Sequence, residues 1–191
     1  MFVTLLFYVV SMAEHKTMKS EVLIMKWLDG SNIDIKNVTG KEICEKLATE
    51  LWGYEYDQWL ELEECIQNAA FIIAFDTELQ MEGIFTFLEN SIGHYYDKII
   101  HAFKAISDNN DAEILSEICR LAPPDLMRGE FLECVQQEYD ISFFDENHEL
   151  HDEIVDRIET LEKQLYLNTD FDMWQVLFDY LDACISQSHV S

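Results

Sequence analysis

The segment 57–79 contains no glycine or proline, so nothing in it interrupts a long helix. Its apolar side chains recur at three- and four-residue steps and cover more than half of the helix circumference: Leu62, Cys65, Ile66, Ala69, Ala70, Ile72 and Ile73. A helix with so wide an apolar surface must be buried by other elements. We therefore predict that this segment is the central helix of a bundle, and that Gly83 ends or bends it.

Similar spacing predicts further helices around the central one. Thr39 and Glu42 have the spacing of a capping box, which predicts a helix from there to Leu51. Further helices are predicted at 94–106, 127–138, 145–165 and 172–185. Another predicted helix is capped by Asn110 and stopped by Pro123. Only 2 prolines and 6 glycines occur in 191 residues, too few for a loop-rich all-β domain. The predicted fold is all-α, a single-domain multi-helix bundle with a small irregular N-terminal segment.

The predicted boundary lies between the N-terminal segment, 1–38, and an acidic helical domain, 39–191. Residues 22–27 are apolar and fit either a strand or a helix. The apolar start of the chain is too short to span a bilayer, which needs ~20 residues, and no Lys or Arg precedes it as in a signal peptide. Two alternatives stay open for residues 1–13: the true start is Met12 or Met18, or the segment packs on the domain as a short strand or helix.

Charge excludes several functional classes. The chain has 38 acidic and 12 basic residues, a formal net charge of −26, together with 49% hydrophobic residues. The acids must therefore lie outside a real core. Direct binding to nucleic acid or to an anionic membrane is disfavoured, because phosphates are bound by clustered Lys and Arg. The five cysteines form no Cys-x-x-Cys pair, which predicts free thiols in a reducing compartment and a cytoplasmic protein.

Catalytic motifs are missing from the sequence. It has no Gly-x-Ser-x-Gly elbow, no Gly-rich phosphate loop and no Glu-x-x-His pair, and His148 and His151 lack the spacing of a zincin site. We predict no catalytic residues, no cofactor and no metal. One rival hypothesis remains, an enzyme or small-ligand binder with a pocket lined by Trp and Tyr and with His94 or His101 at its mouth.

One acidic pattern stands out. On the predicted helix 145–165, five acids recur at alternating steps of four and three residues; we call them the acidic stripe: Asp145, Glu149, Asp152, Asp156 and Glu159. Like charges at these spacings cost about 0.2–0.5 kcal/mol per pair. Between residues 125 and 182 there are 17 acids and 3 bases, so few cations offset this repulsion. The excess predicts a basic protein partner, attracted electrostatically.

The stripe is too sparse to imitate DNA alone. It offers one carboxylate per ~5 Å of helix, whereas one strand of B-DNA carries a phosphate per ~3.4 Å. Neighbouring acids or a homodimer partner would have to supply the rest. The candidates within the chain are Glu130, Glu133 and Glu138, or Asp172, Asp179 and Asp182.

The segment 70–106 resembles a bacterial all-helical family of unknown function that includes an acidic DNA-mimic protein. The matching residues are Glu78, Gly83, Phe87, Asn90, Ser91, Ala105 and Ile106. The family pattern usually has Asn-Asn-Gly-Gly where this chain has Gln80-Met81-Glu82-Gly83. The resemblance implies an all-α fold and, for the DNA-mimic member, a dimer that occupies the DNA-binding face of a helix-turn-helix repressor.

We therefore predict a non-enzymatic, cytoplasmic interaction protein whose acidic stripe binds a basic protein. The specific hypothesis is a DNA mimic directed at a DNA-binding protein such as a transcription factor. An immunity-type inhibitor of a basic nuclease toxin is a close alternative. A third explanation is that the acids only keep the protein soluble.

Overall fold

A two-stranded hairpin precedes seven α-helices in the part of the chain that the structure describes. The structure is a computed structural model and describes residues 24–124 and 150–188. This architecture confirms the predicted all-α bundle with a small N-terminal segment. The elements are β1 (Ile24–Lys26), β2 (Asn32–Asp34), α1 (Gly40–Glu50), α2 (Tyr56–Trp59), α3 (Glu64–Glu89), α4 (Tyr96–Ala105), α5 (Asn109–Leu121), α6 (Asp152–Glu162) and α7 (Met173–Ser188).

Helix α3 is the centre of the fold, as the apolar pattern predicts. It contacts α1, α4 and α7, while α4 contacts α5 and α5 contacts α6. The run Ala69–Phe75 is buried at every position, so all sides of this part of the helix are covered. Facing aromatic rings add specific contacts, such as the edge-to-face pair of Phe75 and Phe87 with centroids 4.8 Å apart.

The central helix begins later than the predicted Asp57. Helix α2 and a turn occupy the first residues, and α3 starts only at Glu64 because the backbone of Glu63 is not helical. The Glu63 carboxylate accepts a hydrogen bond from the backbone N–H of Lys26, at 3.1 Å. Glu63 therefore satisfies a backbone donor of the hairpin, a contact that the local pattern does not reveal.

The N-terminal hairpin is tied to α1. Strands β1 and β2 are antiparallel, with Met25 opposite Ile33. Trp27 follows β1 and is buried, and its indole Nε1 donates to the Glu50 carboxylate at 2.6 Å. The Lys46 ammonium lies 4.8 Å from the centre of the same ring. Within the apolar run that fitted either element, residues 24–26 thus form a strand, and Trp27 follows it as an aromatic anchor.

The structure confirms the predicted N-terminal cap of α1 and corrects the predicted cap of α5. At α1 both capping-box bonds are present, because the Thr39 side chain accepts from the Glu42 amide and the Glu42 side chain accepts from the Thr39 amide. At α5 the predicted cap, Asn110, is wrong. The cap is Asp108, whose Oδ1 accepts from the backbone N–H of Asp111 at 3.1 Å. Helix α5 ends at Leu121, before the two prolines as predicted.

Two further predicted helices, 94–106 and 127–138, have different outcomes. The predicted helix 94–106 begins as a 3-10 turn, Ser91–Tyr95, before α4. The predicted helix 127–138 lies outside the described residues. Cys44, Cys65 and Cys119 are free thiols, as predicted, and Cys134 is not described. No helix within 24–124 or 150–188 is long and apolar enough to cross a membrane.

Gly83 bends α3 rather than ending it. Its φ of 80° and ψ of 176° lie in a region that is essentially restricted to glycine. The bend interrupts the helical ladder, and the backbone N–H of Ile84 donates instead to Oε1 of Glu162 at 3.1 Å. A glycine is therefore required at this position for backbone reasons.

We predict that Gly83→Ala lowers the free energy of unfolding by about 1–3 kcal/mol, because alanine is strained at this φ and ψ. Gly53→Ala is the matched control, since a Cβ on Gly53 meets no atom within 4 Å and Gly53 has no positive φ. The control should change stability by less than about 0.5 kcal/mol. Urea unfolding measures both values, and equal values for the two variants would contradict the role of the bend.

Candidate functional site

The predicted helix that carries the acidic stripe is shorter than 145–165. Helix α6 begins at Asp152, because His151 has an extended backbone and its carbonyl accepts from the N–H groups of Ile154 and Val155. It ends at Glu162. Of the stripe, Asp152, Asp156 and Glu159 lie on α6, whereas Asp145 and Glu149 lie outside the described residues. The continuous five-residue helical seam predicted from the spacing is therefore wrong.

The three described stripe residues project into solvent. We call Asp152, Asp156 and Glu159 the α6 acidic face; all three are exposed. Within the described ranges, no Lys or Arg comes within ion-pair distance of Asp152 or Asp156. Glu159 has an exposed contact with Lys163, at 3.8 Å. Such a surface pair is worth little, so the negative charge of this face is scarcely neutralised inside the molecule.

The opposite side of α6 is held firmly against the bundle. Ile158 and Leu161 are buried there, and so is Leu165 just after the helix. Arg157, the only base within α6, donates to the carboxylate of Glu117 on α5, at 2.9 Å. The Glu162 carboxylate turns inward to the Ile84 amide at the bend of α3. These contacts fix the orientation of the helix, and with it the orientation of its acidic face.

A buried carboxylate secures the loop after α6. Asp111 on α5 is 0% exposed. Its Oδ1 accepts from the backbone N–H of Tyr166 at 2.7 Å, its Oδ2 from that of Leu167 at 3.4 Å, and the Asn110 side-chain amide also donates to it. Because these donors belong to two parts of the chain, Asp111 joins the start of α5 to the loop that follows α6.

The neighbouring Asp108 is buried without a full set of hydrogen bonds. It is 5% exposed, and its Oδ2 has no hydrogen-bond partner among the described residues. Burial raises the pKa of Asp108 to about 6, and the nearby Asp111 carboxylate contributes to the same change. Burial also raises the pKa of Asp111, although its backbone hydrogen bonds oppose this. Burial thus favours the protonated form of both carboxyl groups.

Three of the acids proposed to extend the stripe are described, and each accepts a hydrogen bond from within the chain. Asp182 accepts from the backbone N–H of Gly40 at 2.6 Å and so helps to cap α1. Asp172 accepts from the Gln175 amide at the start of α7, and Asp179 accepts from the Gln175 side chain. The other three candidates, Glu130, Glu133 and Glu138, lie outside the described residues.

Two surface cavities are lined by described residues, and neither of them matches the rival hypothesis of an aromatic pocket with a histidine at its mouth. The larger, about 420 Å³, is lined by Trp52, Thr77, Glu78, Met81, Glu82 and Asn90. The smaller, about 250 Å³, is lined by Lys104, Ala112, Glu113, Ser116, Glu117 and Arg120. His101 instead lies 3.0 Å from the carboxylate of Glu64. No group of three metal-ligating side chains occurs within the described ranges.

Trp52 is a residue whose position the sequence did not predict. Trp27 and Trp59 are buried, as large aromatic side chains often are. Trp52 instead is 51% exposed in the 3-10 turn that follows α1, one residue before Gly53. Its position at a helix end, next to a glycine, was the available signal.

Comparison with known proteins places the chain in a family. The model of a family described as DMP19-like protein matches residues 60–184, about two thirds of the sequence. The chain belongs to the DMP19-like protein family. The family is named after a DNA mimic protein. No curated protein and no solved structure matches the chain.

The family match includes the bend and turn that carried the sequence resemblance. Gly83 forms the bend, and Phe87 is buried just beyond it. The Asn90 side-chain amide donates to Oε2 of Glu78 at 2.8 Å, which joins the two ends of the bent segment. These residues build the junction between α3 and α4. They therefore support the fold of the DMP19-like chain, and none of the three residues of the α6 acidic face is among them.

We predict that stability depends on pH through Asp108. Because its pKa is raised in the folded state from an ordinary 3.8 to about 6, its protonation stabilises the fold at low pH, and this contribution is lost as the pH rises through 6. In Asp108→Asn the group cannot ionise. The variant should therefore gain stability relative to wild type between about pH 4 and about pH 7, measured by urea unfolding.

Asp170→Asn, an exposed acid, is the control for the general repulsion of a chain with this net charge. If Asp108→Asn and Asp170→Asn change the pH dependence of the unfolding free energy equally, the burial of Asp108 does not cause that dependence.

Proposed function

We propose that this member of the DMP19-like family is a non-enzymatic cytoplasmic protein that binds the DNA-binding face of a basic protein. The α6 acidic face would occupy positions that DNA phosphates otherwise take. Asp145 and Glu149, directly before α6 in the sequence, are proposed to extend this surface. The partner is a DNA-binding protein such as a transcription factor.

The observation that carries this proposal is the uncompensated charge of α6. Among its eleven residues are five acids and one base, and the base is turned to α5. The positive N-terminal end of the helix dipole stabilises the charges of Asp152 and Glu153. Glu159 instead lies near the negative end, where an acidic side chain destabilises the helix. Helix stability thus explains the first acids and not Glu159, and a cationic partner would explain the whole α6 acidic face.

The spacing of the carboxylates limits how completely the α6 acidic face alone can imitate DNA. Asp152 to Glu159 is seven residues, about 10 Å of helix, and carries three carboxylates. One strand of B-DNA presents about four phosphates over that length. A complete imitation therefore needs further acids, supplied by residues 145–149 or by a second copy of the chain.

The same electrostatics would suit an immunity-type inhibitor of a basic nuclease. The identity of the captured partner separates the two functions. A transcription factor released from its operator supports mimicry at a regulator, whereas a nuclease that loses its activity supports the inhibitor.

We predict that reversing the α6 acidic face abolishes partner binding. The partner is captured from a native cell extract at low salt and eluted with duplex DNA. The triple variant Asp152→Lys, Asp156→Lys, Glu159→Lys should then weaken binding by at least about 100-fold, because three attractive contacts become repulsive. Isothermal titration with the purified partner measures the change.

The matched control reverses three exposed acids on other helices, Glu89→Lys, Asp97→Lys and Glu113→Lys, and so alters the net charge equally. It should retain most of the affinity. If both triple variants lose binding to the same extent, the effect comes from total charge and the α6 surface is rejected.

We also predict that salt acts mainly on association. Raising the salt from about 50 to 200 mM shortens the Debye length to below 10 Å and weakens steering between exposed charges. The association rate should fall by roughly tenfold or more while the dissociation rate changes less. Stopped-flow fluorescence measures both rates, and salt-independent association would contradict an electrostatic complex.

A further inference from the structure

Two large apolar side chains are exposed together beside the bend of α3. Trp52 is 51% exposed and Met81 is 76% exposed. Both line the cavity of about 420 Å³, which we call the Trp52 groove; its walls are Trp52, Thr77, Glu78, Met81, Glu82 and Asn90. The volume lies within the ~300–1,000 Å³ of typical ligand sites. Exposed apolar surface framed by polar groups is typical of an interaction site.

The groove is built from ordered parts. The indole Nε1 of Trp52 donates to the carbonyl oxygen of Ala48 at 3.1 Å, which fixes the ring at the end of α1. On the facing wall, Glu78, Met81 and Glu82 have helical three- and four-residue spacing and share one side of α3. The Asn90 amide holds Glu78 at 2.8 Å. One wall thus lies in the 3-10 turn that follows α1, and the facing wall lies on α3 and its C-terminal end.

The charge of the groove has one sign. Its described lining contains two carboxylates and no Lys, Arg or His. No basic side chain in the described ranges lies within ion-pair distance of Glu78 or Glu82. Glu78 also helps to raise the pKa of the nearby Tyr56, although burial contributes more. An apolar floor with an uncompensated acidic rim is complementary to a cation carried on an apolar stem.

We propose that the Trp52 groove is a docking site for an arginine side chain flanked by apolar residues in a protein partner. The methylene stem and the apolar neighbours would pack on Met81. The guanidinium would stack on the Trp52 ring and donate to Glu78 and Glu82. A guanidinium suits this site better than an ammonium, because it is planar, weakly hydrated and able to form two parallel hydrogen bonds to a carboxylate.

This site is separate from the α6 acidic face. None of Asp152, Asp156 and Glu159 lines the groove. It also differs in chemistry, since the α6 acidic face offers exposed charge and the groove combines charge with an aromatic ring and a thioether. Its existence does not depend on DNA mimicry, and it can be tested with a small probe.

The probe is the peptide acetyl-Ala-Leu-Arg-Leu-Ala-amide, titrated into the full chain labelled with ¹⁵N. The readout is the indole N–H signal of Trp52, assigned through Trp52→Phe. We expect a saturable shift of this signal, while the indole signals of the buried Trp27 and Trp59 stay in place and report an intact fold. A peptide with citrulline for arginine should bind roughly tenfold more weakly, because it keeps the shape and loses the charge.

Matched variants locate the binding. Glu82→Gln and Glu78→Gln should each weaken the arginine peptide severalfold, and Trp52→Ala should remove binding, monitored then through the Met81 methyl signal. Glu153→Gln, an exposed acid on α6, should have no effect. The neutral triple variant Asp152→Asn, Asp156→Asn, Glu159→Gln should also bind the peptide normally, even if it loses the partner of the acidic face.

Three results would overturn the proposal. The first is equal affinity for the arginine and citrulline peptides. The second is binding that is unchanged in Glu78→Gln and Glu82→Gln. The third is a Trp52 shift that follows protein concentration without peptide, which would show that a second copy of the chain covers the groove.

Discussion

Burial of α3 on all sides is the constraint on which the rest of the structure depends. A helix that is apolar around its circumference requires neighbours, and α1, α4 and α7 provide them. The helix is also bent at Gly83, where the free Ile84 amide needs an acceptor. Glu162 at the end of α6 supplies it. The central helix therefore determines where α6 lies as well as how the core is filled.

This arrangement connects stability with electrostatics. The inward acids, Glu162 and Asp111, accept hydrogen bonds from backbone N–H groups and fix the C-terminal end of α6 and the loop that follows it. The outward acids of the α6 acidic face have almost no charged partners among the described residues. A rigid helix thus carries negative charge at fixed spacing, so a cationic partner would meet charges that are already ordered. Such order reduces the entropy lost on binding.

Local chemistry predicted the features that depend on near neighbours. Spacing and residue type alone predicted the capping box of Thr39 and Glu42 and the buried central helix. They also predicted that this helix ends or bends at Gly83. The start of α3 was not predictable in this way, because Glu63 bonds to Lys26, 37 residues away. The exposed Trp52 and the buried Asp108 likewise depend on which elements meet in space. The choice of the α6 acidic face as the binding site stays a prediction, because binding depends on the surface of a partner and not on contacts within the chain.

The central claim is that the unneutralised charge of α6 binds where DNA would bind on the partner. The most direct measurement titrates duplex DNA against a fluorescently labelled complex of this protein with its captured partner. The account predicts that the apparent dissociation constant of the complex rises in proportion to the DNA concentration and without limit, as for two ligands that share one surface. An apparent dissociation constant that levels off, or a ternary complex with DNA, would contradict it.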